Sequence, residues 1–599
     1  MYRLFLLPLT LLLMMASWAF GQCIIEPGKT QVLVPIGDIT TDQTWTAGNV
    51  YVLQGPTYVV SGVTLTIQPG TVIKGITGLP AGSVASLIIE RGAQIIANGT
   101  EQAPIIFTAC TDDLNDPTDL DRSNRGLWGS LIILGNAPIN GTVTPPNTCA
   151  TNFIEGIPPS PKTEYGGCDA FDNSGILRYV QLKHGGSIIG AANEINGLTL
   201  GGVGSGTTIE YVEVFANLDD GFEFFGGTVN CRYLISAFND DDAFDWDQGY
   251  SGKLQFLFCI YDSTNGDRAF EIDSDDGNAD TQPYARPTVY NVTAFGRGEV
   301  LTTAPSNQNA AIHSKENNAG HFRNSIFYEW PRNGIFIEDQ SGPSFSLNPI
   351  PDCSILGGQI DAEYHSRCLT GPFTNPNWVG GYSNQNPVFA VSNFDVFGTI
   401  WCAINSAAIT PTLVASSQSW TEQRLFTDYP SLGGAIAGVP GGAWDNVIEN
   451  PIFAGNNRAK SRFSGQNALD PRPAVGGPAF SIGLKDAPAE DPWFQSAPYA
   501  GAFNATNNWM MNWTNLWFAD YLNEGPAVSG KCGDADCSGA YSISDAVYLI
   551  NYIFAGGPAP CSPLNGDADV SGSVSISDAV YLINYIFAGG PAPACPNCS

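Results

Sequence analysis

The chain has 599 residues, 57 of them acidic and 25 basic, for a net charge of −32. That balance excludes a nucleic-acid binder and a ligand of anionic membrane surfaces, because both need clustered positive charge. Charged residues make up only 14%, against 67 glycines and 41 prolines, so the chain is rich in turns and poor in helix.

Met1–Gly21 reads as a signal peptide. Arg3 supplies the positive start, Leu4–Met15 the apolar run, and Ala19 and Gly21 the small residues of a cleavage site. The run is short for a membrane span. A secreted or cell-surface protein is therefore expected, and its 14 cysteines read first as disulfides.

The body, residues 22–372, consists of short β-rich runs cornered by glycine, asparagine and aspartate. VYVLQGPTYVVSGVTLTIQPGTVIKG (50–75) and SLIIERGAQIIANGTEQAPIIFTA (86–109) alternate apolar and polar residues with no helical stretch between them. Further along, YVQLKH (179–184), YVEVFA (211–216), YLISAF (233–238), FLFCIY (256–261) and YNVTAF (290–295) read as cognate strands. Three are followed by DDGFEFFGG (219–227), DDAFDWDQG (241–249) and DRAFEIDSD (267–275). Spacings of 22 residues from Phe222 to Phe244 and 26 from Phe244 to Phe270, without helices, predict a solenoid with a continuous core.

With these runs and NEINGLTLGGVGSGTTIEYVEV (193–214), the region resembles the secreted right-handed parallel β-helix proteins of bacteria. The likeness spans residues 38–340 and resumes near LDPRPAVGGPAF (469–480). That family includes adhesins, carbohydrate lyases and hydrolases, so the resemblance implies the fold and leaves function to the site.

Stacked rungs would bring Asp220, Asp242 and Asp267 together, with Glu223, Asp245 and Glu271 in a neighbouring column. Clustered carboxylates hold calcium or share protons for acid–base work. The resemblance implies calcium on such carboxylates, with an arginine or lysine as base, in the lyases of this fold. Lys253, Arg268, Arg286 and Arg297 are near in sequence. The plainer alternative is solvated turn acids. The galacturonan-hydrolase signature is missing: there is no Asn-Thr-Asp, and Gly320-His321-Phe322 is not Gly-His-Gly. The histidines, His184, His313, His321 and His365, are scattered.

Residues 373–528 read as final rungs, irregular insertions and a cap, with the aromatic-rich AFNATNNWMMNWTNLWFADYL (502–522) as the capping segment. Residues 529–599 are a tandem repeat. GDADCSGAYSISDAVYLINYIFAGGPAP (533–560) and GDADVSGSVSISDAVYLINYIFAGGPAP (566–593) differ at three of 28 positions. Each copy opens with a calcium-loop pattern. The oxygens come from Asp534, Asp536, Ser538, the Ala540 carbonyl, Ser542 and Asp545, and from Asp567, Asp569, Ser571, the Ser573 carbonyl, Ser575 and Asp578. Serine at position 5 and aspartate at position 12 predict modest affinity. In the following helix Ala546, Leu549, Ile550 and Ile553 form an apolar stripe, Ser544 is the expected N-cap, and Gly556-Gly557-Pro558 the stop. Tyr548, Asn551 and Tyr552, with copies Tyr581, Asn584 and Tyr585, lie off that stripe, either packed between the copies or facing a partner. Cys532, Cys537, Cys561, Cys595 and Cys598 cluster here, without the partner ligands of a zinc site.

This tail resembles a dockerin module, the plug that enters a cohesin socket. The resemblance implies a cohesin-like partner met by loop positions 10 and 11, here Ile543-Ser544 and Ile576-Ser577, and by the helix after them. Two functions follow as expectations. The first is a non-catalytic surface, scaffold or adhesion protein tethered through its calcium-dependent tail. The alternative is a polysaccharide lyase or glycoside hydrolase with its site on the acidic ladder.

Overall fold

The computed structural model describes residues 23–337 apart from several short stretches, isolated strands between 395 and 448, most of 451–522 and most of 533–593. The segment read as a signal peptide, His365, Ser538, Ser573 and the five tail cysteines lie outside the described residues.

Successive strands return to the same two sheets, one of 17 strands and one of 11, and their pairings are parallel throughout. The chain is a parallel β-helix followed by a small helical module. Strand Gly175–Lys183 shows how the coil turns. Its first half pairs with Ile95–Asn98 and its second half with Ile105–Phe107. Between them Tyr179 takes a left-handed φ of 50°, which bends the strand and gives the larger sheet two facets. The same bend recurs at Tyr211, Tyr233, Phe256 and Asn291. Leu257 pairs with Val292, so Asn291 and not Tyr290 stands in register with Phe256.

Alternate residues of each strand point inward. Phe222, Phe244 and Phe270 are wholly buried and stack at 5.4 and 5.3 Å, continuing the column from Leu198 to Ile312. Cys231 and Cys259 are free thiols in this core, a correction to the reading of all cysteines as disulfides. Cys23–Cys110 and Cys149–Cys168 are bridged. The second bridge pins an excursion between the strands ending at Leu134 and beginning at Gly175. Its Ile139, Ile154 and Tyr165 pack on the outer face of the smaller sheet.

Two expectations for the later part change. Leu469–Pro473 pairs antiparallel with Phe453–Asn456, so the coil does not resume there. The aromatic segment does not close an end. Residues 491–516 run along the outer face of the larger sheet, crossing rung after rung. Lys253 bonds Asp491, the Gln495 amide donates to Gln255, the Ala502 amide to Thr293, and Gln181 to the Trp513 carbonyl. The strap covers an apolar face that includes Phe215, Phe238, Phe258 and Phe295. The strands at Asp395–Phe397, Ile400–Cys402 and Val414–Ser416 pair parallel with the preceding rungs.

In the tail, Ile543–Ala555 and Ile576–Ala588 are helices packed around Ala535, Ala546, Leu549 and their copies Ala568, Ala579 and Leu582. Ser542, not Ser544, is the N-cap. It forms a capping box with Asp545, and Ser575 does the same with Asp578. Gly556 and Gly589 end the helices with φ of 67° and 73°. Ile550 is exposed rather than part of the buried stripe. Among the described residues, no helix is long and apolar enough to cross a membrane.

Candidate functional site

The acidic column forms on the outer face of the smaller sheet, where inward phenylalanines leave the next residue pointing out. Glu223, Asp245, Glu271 and His313 stand in strict register on four successive rungs. The second expected column needs correction. Counting from the stacked phenylalanines, Asp220 aligns with Asp242 and then with Arg268, whereas Asp267 aligns with Asp241. The amides confirm it. The Asp242 N–H donates to Asp220 at 2.9 Å, and the Arg268 N–H to Asp242 at 2.7 Å. The Asp267 N–H goes instead to the Asp241 carbonyl. A cation therefore stands where the sequence reading put a third carboxylate.

Arg268 is the hub of the lower half. Its guanidinium pairs with Asp242 at 2.8 Å, with Asp267 at 3.5 Å and with Glu271. Lys315, a residue the sequence reading missed, pairs with Glu271 at 2.5 Å and Asp273 at 3.0 Å. Burial works to raise the Glu271 carboxyl, but Arg268 and Lys315 outweigh it and hold it down at about 2. Burial works against both cations as well, yet their carboxylates keep Arg268 and Lys315 above their ordinary values. His313 is pushed down to about 3 by burial and by Arg268, so it is neutral beside Glu271. This histidine belongs to the column, and only the rung register could have found it.

The upper half is different. Asp220 and Glu223 are 7% and 8% exposed, and Asp245 is half-buried. Burial, followed by repulsion from neighbouring carboxylates, raises all three well above the carboxylate range. One oxygen of each lies within 4.8 Å of the others. Glu223 accepts from Asn196. Asp245 Oδ1 is enclosed and has no hydrogen-bond partner among the described residues. Three hard oxygen donors, raised in pKa and with one orphaned oxygen, suit a hard divalent cation such as calcium. Asp242 is 1% exposed and raised by burial, and Asp267 is raised to about 7 by burial against the pull of Arg268.

The other bases suggested by sequence are elsewhere. Lys253 pairs with Asp491 under the strap. Arg286 is buried beside His321 and pushed down to about 9 by burial, and Arg297 donates to the Thr264 carbonyl.

In the tail, Asp534, Asp536 and Asp545 bring oxygens within 4.8 Å of one another. Asp545 accepts the Asp536 and Ser542 amides at 3.2 and 2.8 Å, and Asp578 repeats this with Asp569 and Ser575 at 3.1 and 2.7 Å. Each position-12 acid thus draws its loop inward. Tyr548 and Tyr581 pack against the small core, and Tyr585 meets Tyr541 edge-on at 5.6 Å, so these tyrosines are partly structural. Tyr552 is exposed. Val547 and Phe554, with their copies Val580 and Phe587, were missed; they complete a duplicated exposed stripe, Ile543, Val547, Ile550 and Phe554, with Ile576, Val580, Ile583 and Phe587. Both phenylalanines are 69% exposed. Spacings of four, three and four residues put each set on one helix face.

No curated protein and no solved structure matches the chain. A family model described as a pectate-lyase-like β-helix domain matches residues 37–350, over half of the chain and the whole stretch that carries the acidic column. On that match and on the parallel coil, the chain belongs to the pectate-lyase-like β-helix family.

Proposed function

We propose that the protein is an extracellular, non-catalytic β-helix that displays its long faces while its C-terminal repeat plugs, with calcium, into a cohesin-like partner. The observation that carries this reading is the commitment of the cations. Arg268 and Lys315 are both bound into carboxylates and held above their ordinary pKa values, so neither supplies a base at neutral pH. The column then acts as a brace between rungs, with calcium on Asp220, Glu223 and Asp245. The disulfides suit an oxidising compartment. The duplicated apolar stripe on the two tail helices is the face offered to the partner, beginning at Ile543 and Ile576.

A second reading has support of its own. Asp245, raised, stands directly opposite Glu271, held at about 2. A protonated acid beside an ionised one is the pairing of a glycan-cleaving enzyme. The family match leans the same way. The test is cleavage of polygalacturonate and of neutral glucans by the full-length protein, with calcium and with chelator. We expect no turnover. Calcium-dependent cleavage that disappears in Asp245→Asn and Glu271→Gln, with the melting temperature preserved, would overturn the non-catalytic reading.

A further inference from the structure

We propose that a cleft between the bend of the larger sheet and the strap binds a neutral sugar unit of a glycan. It lies on a different sheet from the acidic column and stands whichever reading of that column holds. The cleft encloses about 430 Å³ and is lined by Glu101, Tyr179, Tyr211, Arg472, Asn508 and Trp509, among others. That volume is in the range of small-ligand sites.

Three features define what fits. The first is an aromatic platform. Tyr179, Tyr211, Tyr233 and Phe256 stack along the coil at 4.5, 4.3 and 4.9 Å. The column starts at Tyr179. Arg178 pairs with Asn98, so Gly99 stands one rung before Tyr179 and brings no side chain to continue the stack. Trp513 and Trp509 meet the column edge-on, Trp513 at Tyr179 and Trp509 at Tyr211, and Tyr179 and Tyr211 line the cleft, where aromatic rings suit the apolar C–H surface of a sugar.

The second is a donor. Asn508 is 9% exposed, and its Oδ1 accepts the Met510 N–H at 3.2 Å, which fixes the orientation of the amide. Its Nδ2 has no hydrogen-bond partner among the described residues. A buried donor left unmet in a cleft calls for a ligand oxygen. The third is charge. Arg472 is bound by Asp470 through two contacts of 2.8 and 2.5 Å, so its charge is answered. Glu101, bridged to Asn512 at 3.0 Å, adds a negative charge at the rim. A uronate is therefore disfavoured. A neutral ring with one apolar face and oxygens at its edge satisfies all three features.

The test is calorimetric titration of the full-length protein with cellobiose, mannobiose, xylobiose and lactose, and with digalacturonate as the anionic control. We expect at least one neutral disaccharide to bind with millimolar or tighter affinity, independently of calcium, and digalacturonate to bind more weakly. Asn508→Asp keeps the acceptor for Met510 but replaces the donor, and should weaken binding about tenfold. Should that variant lower the melting temperature, Tyr179→Ala, which removes the end ring of the stack and its edge contact with Trp513, carries the test with a comparable loss of affinity. Silence with all four neutral sugars overturns the proposal. So does preference for digalacturonate, or affinity unchanged in Tyr179→Ala.

Discussion

The bends of the larger sheet rest on single residues held in a conformation that side chains avoid. Tyr179, Tyr211, Tyr233 and Phe256 all have φ between 50° and 59°, each at a cost of roughly 1 kcal/mol. Their rings offset that cost by stacking on one another, and where the stack ends the bend passes to Asn291 and Asn324, which tolerate it better. Glu213 is a second residue held against its preference. It is wholly buried beneath the strap and accepts the Asn515 and Leu516 amides at 2.5 and 3.0 Å. Burial, offset in part by those amides, raises it to about 7. A carboxyl raised above its unfolded value contributes stability that is full below about 4.5 and lost as pH rises through about 7. His184, pushed down to about 4 by burial, runs the other way, its contribution lost as pH falls below about 6.5. Glu213→Gln cannot ionise, so it isolates the first effect. Between about pH 5 and about pH 8, the variant should lose less stability than the parent, by up to the order of 3 kcal/mol. Denaturant unfolding at the two pH values reads this, and equal losses in both proteins would show that Glu213 does not ionise on folding's account.

At the scale of elements, the phenylalanine ladder does the work that helices do in other parallel sheets. Phe244 is sandwiched between Phe222 and Phe270 with no exposed surface. Phe244→Ala should cost about 3–5 kcal/mol, because neighbouring rungs cannot collapse into the gap. A fall in the unfolding midpoint smaller than that of an exposed control such as Leu33→Ala would deny the ladder this role. The same ladder marks what was legible in sequence. Alternation and period gave the coil, and Glu223, Asp245 and Glu271 fell into one column as expected. The column beside it went astray because aspartates were matched with aspartates. Aligning DDGF, DDAF and DRAF on phenylalanine puts Arg268 beside Asp242, and with it the cation that rewrites the electrostatics. The strap was illegible for a different reason. Gln181 meets Trp513 and Asn291 meets Tyr499 across hundreds of residues, and no local periodicity encodes such pairings. In the tail, the cap falls two residues earlier than expected, at Ser542, and of the expected stripe Ala546 and Leu549 are buried and Ile553 packs against them, while Ile550 is exposed.

Across the whole molecule, the proposed calcium sites should matter to the two parts to different degrees, because their cores differ in size. The coil buries a continuous apolar column from Val34 to Val396. Among the described residues, the tail core is small, built on Ala535, Ala546, Leu549, Ala568, Ala579 and Leu582, and small cores hold two helices weakly unaided. Its loops bring carboxylates together, Asp534, Asp536 and Asp545 in the first, whose mutual repulsion a bound cation would relieve. Ligand binding to the folded state adds RT ln(1 + [L]/Kd), about 2.7 kcal/mol at a hundredfold excess over Kd. Scanning calorimetry of the full-length protein should therefore show two transitions. Chelator should abolish or sharply lower the one belonging to the tail, and Asp545→Ala should remove one equivalent of bound calcium while leaving the Asp578 loop occupied. The coil transition discriminates further. If Asp220, Glu223 and Asp245 hold calcium as a brace, chelator lowers that transition too, and Asp245→Asn removes the difference. A coil transition indifferent to chelator in both proteins would confine calcium to the tail and leave the acidic column braced by Arg268 and Lys315 alone.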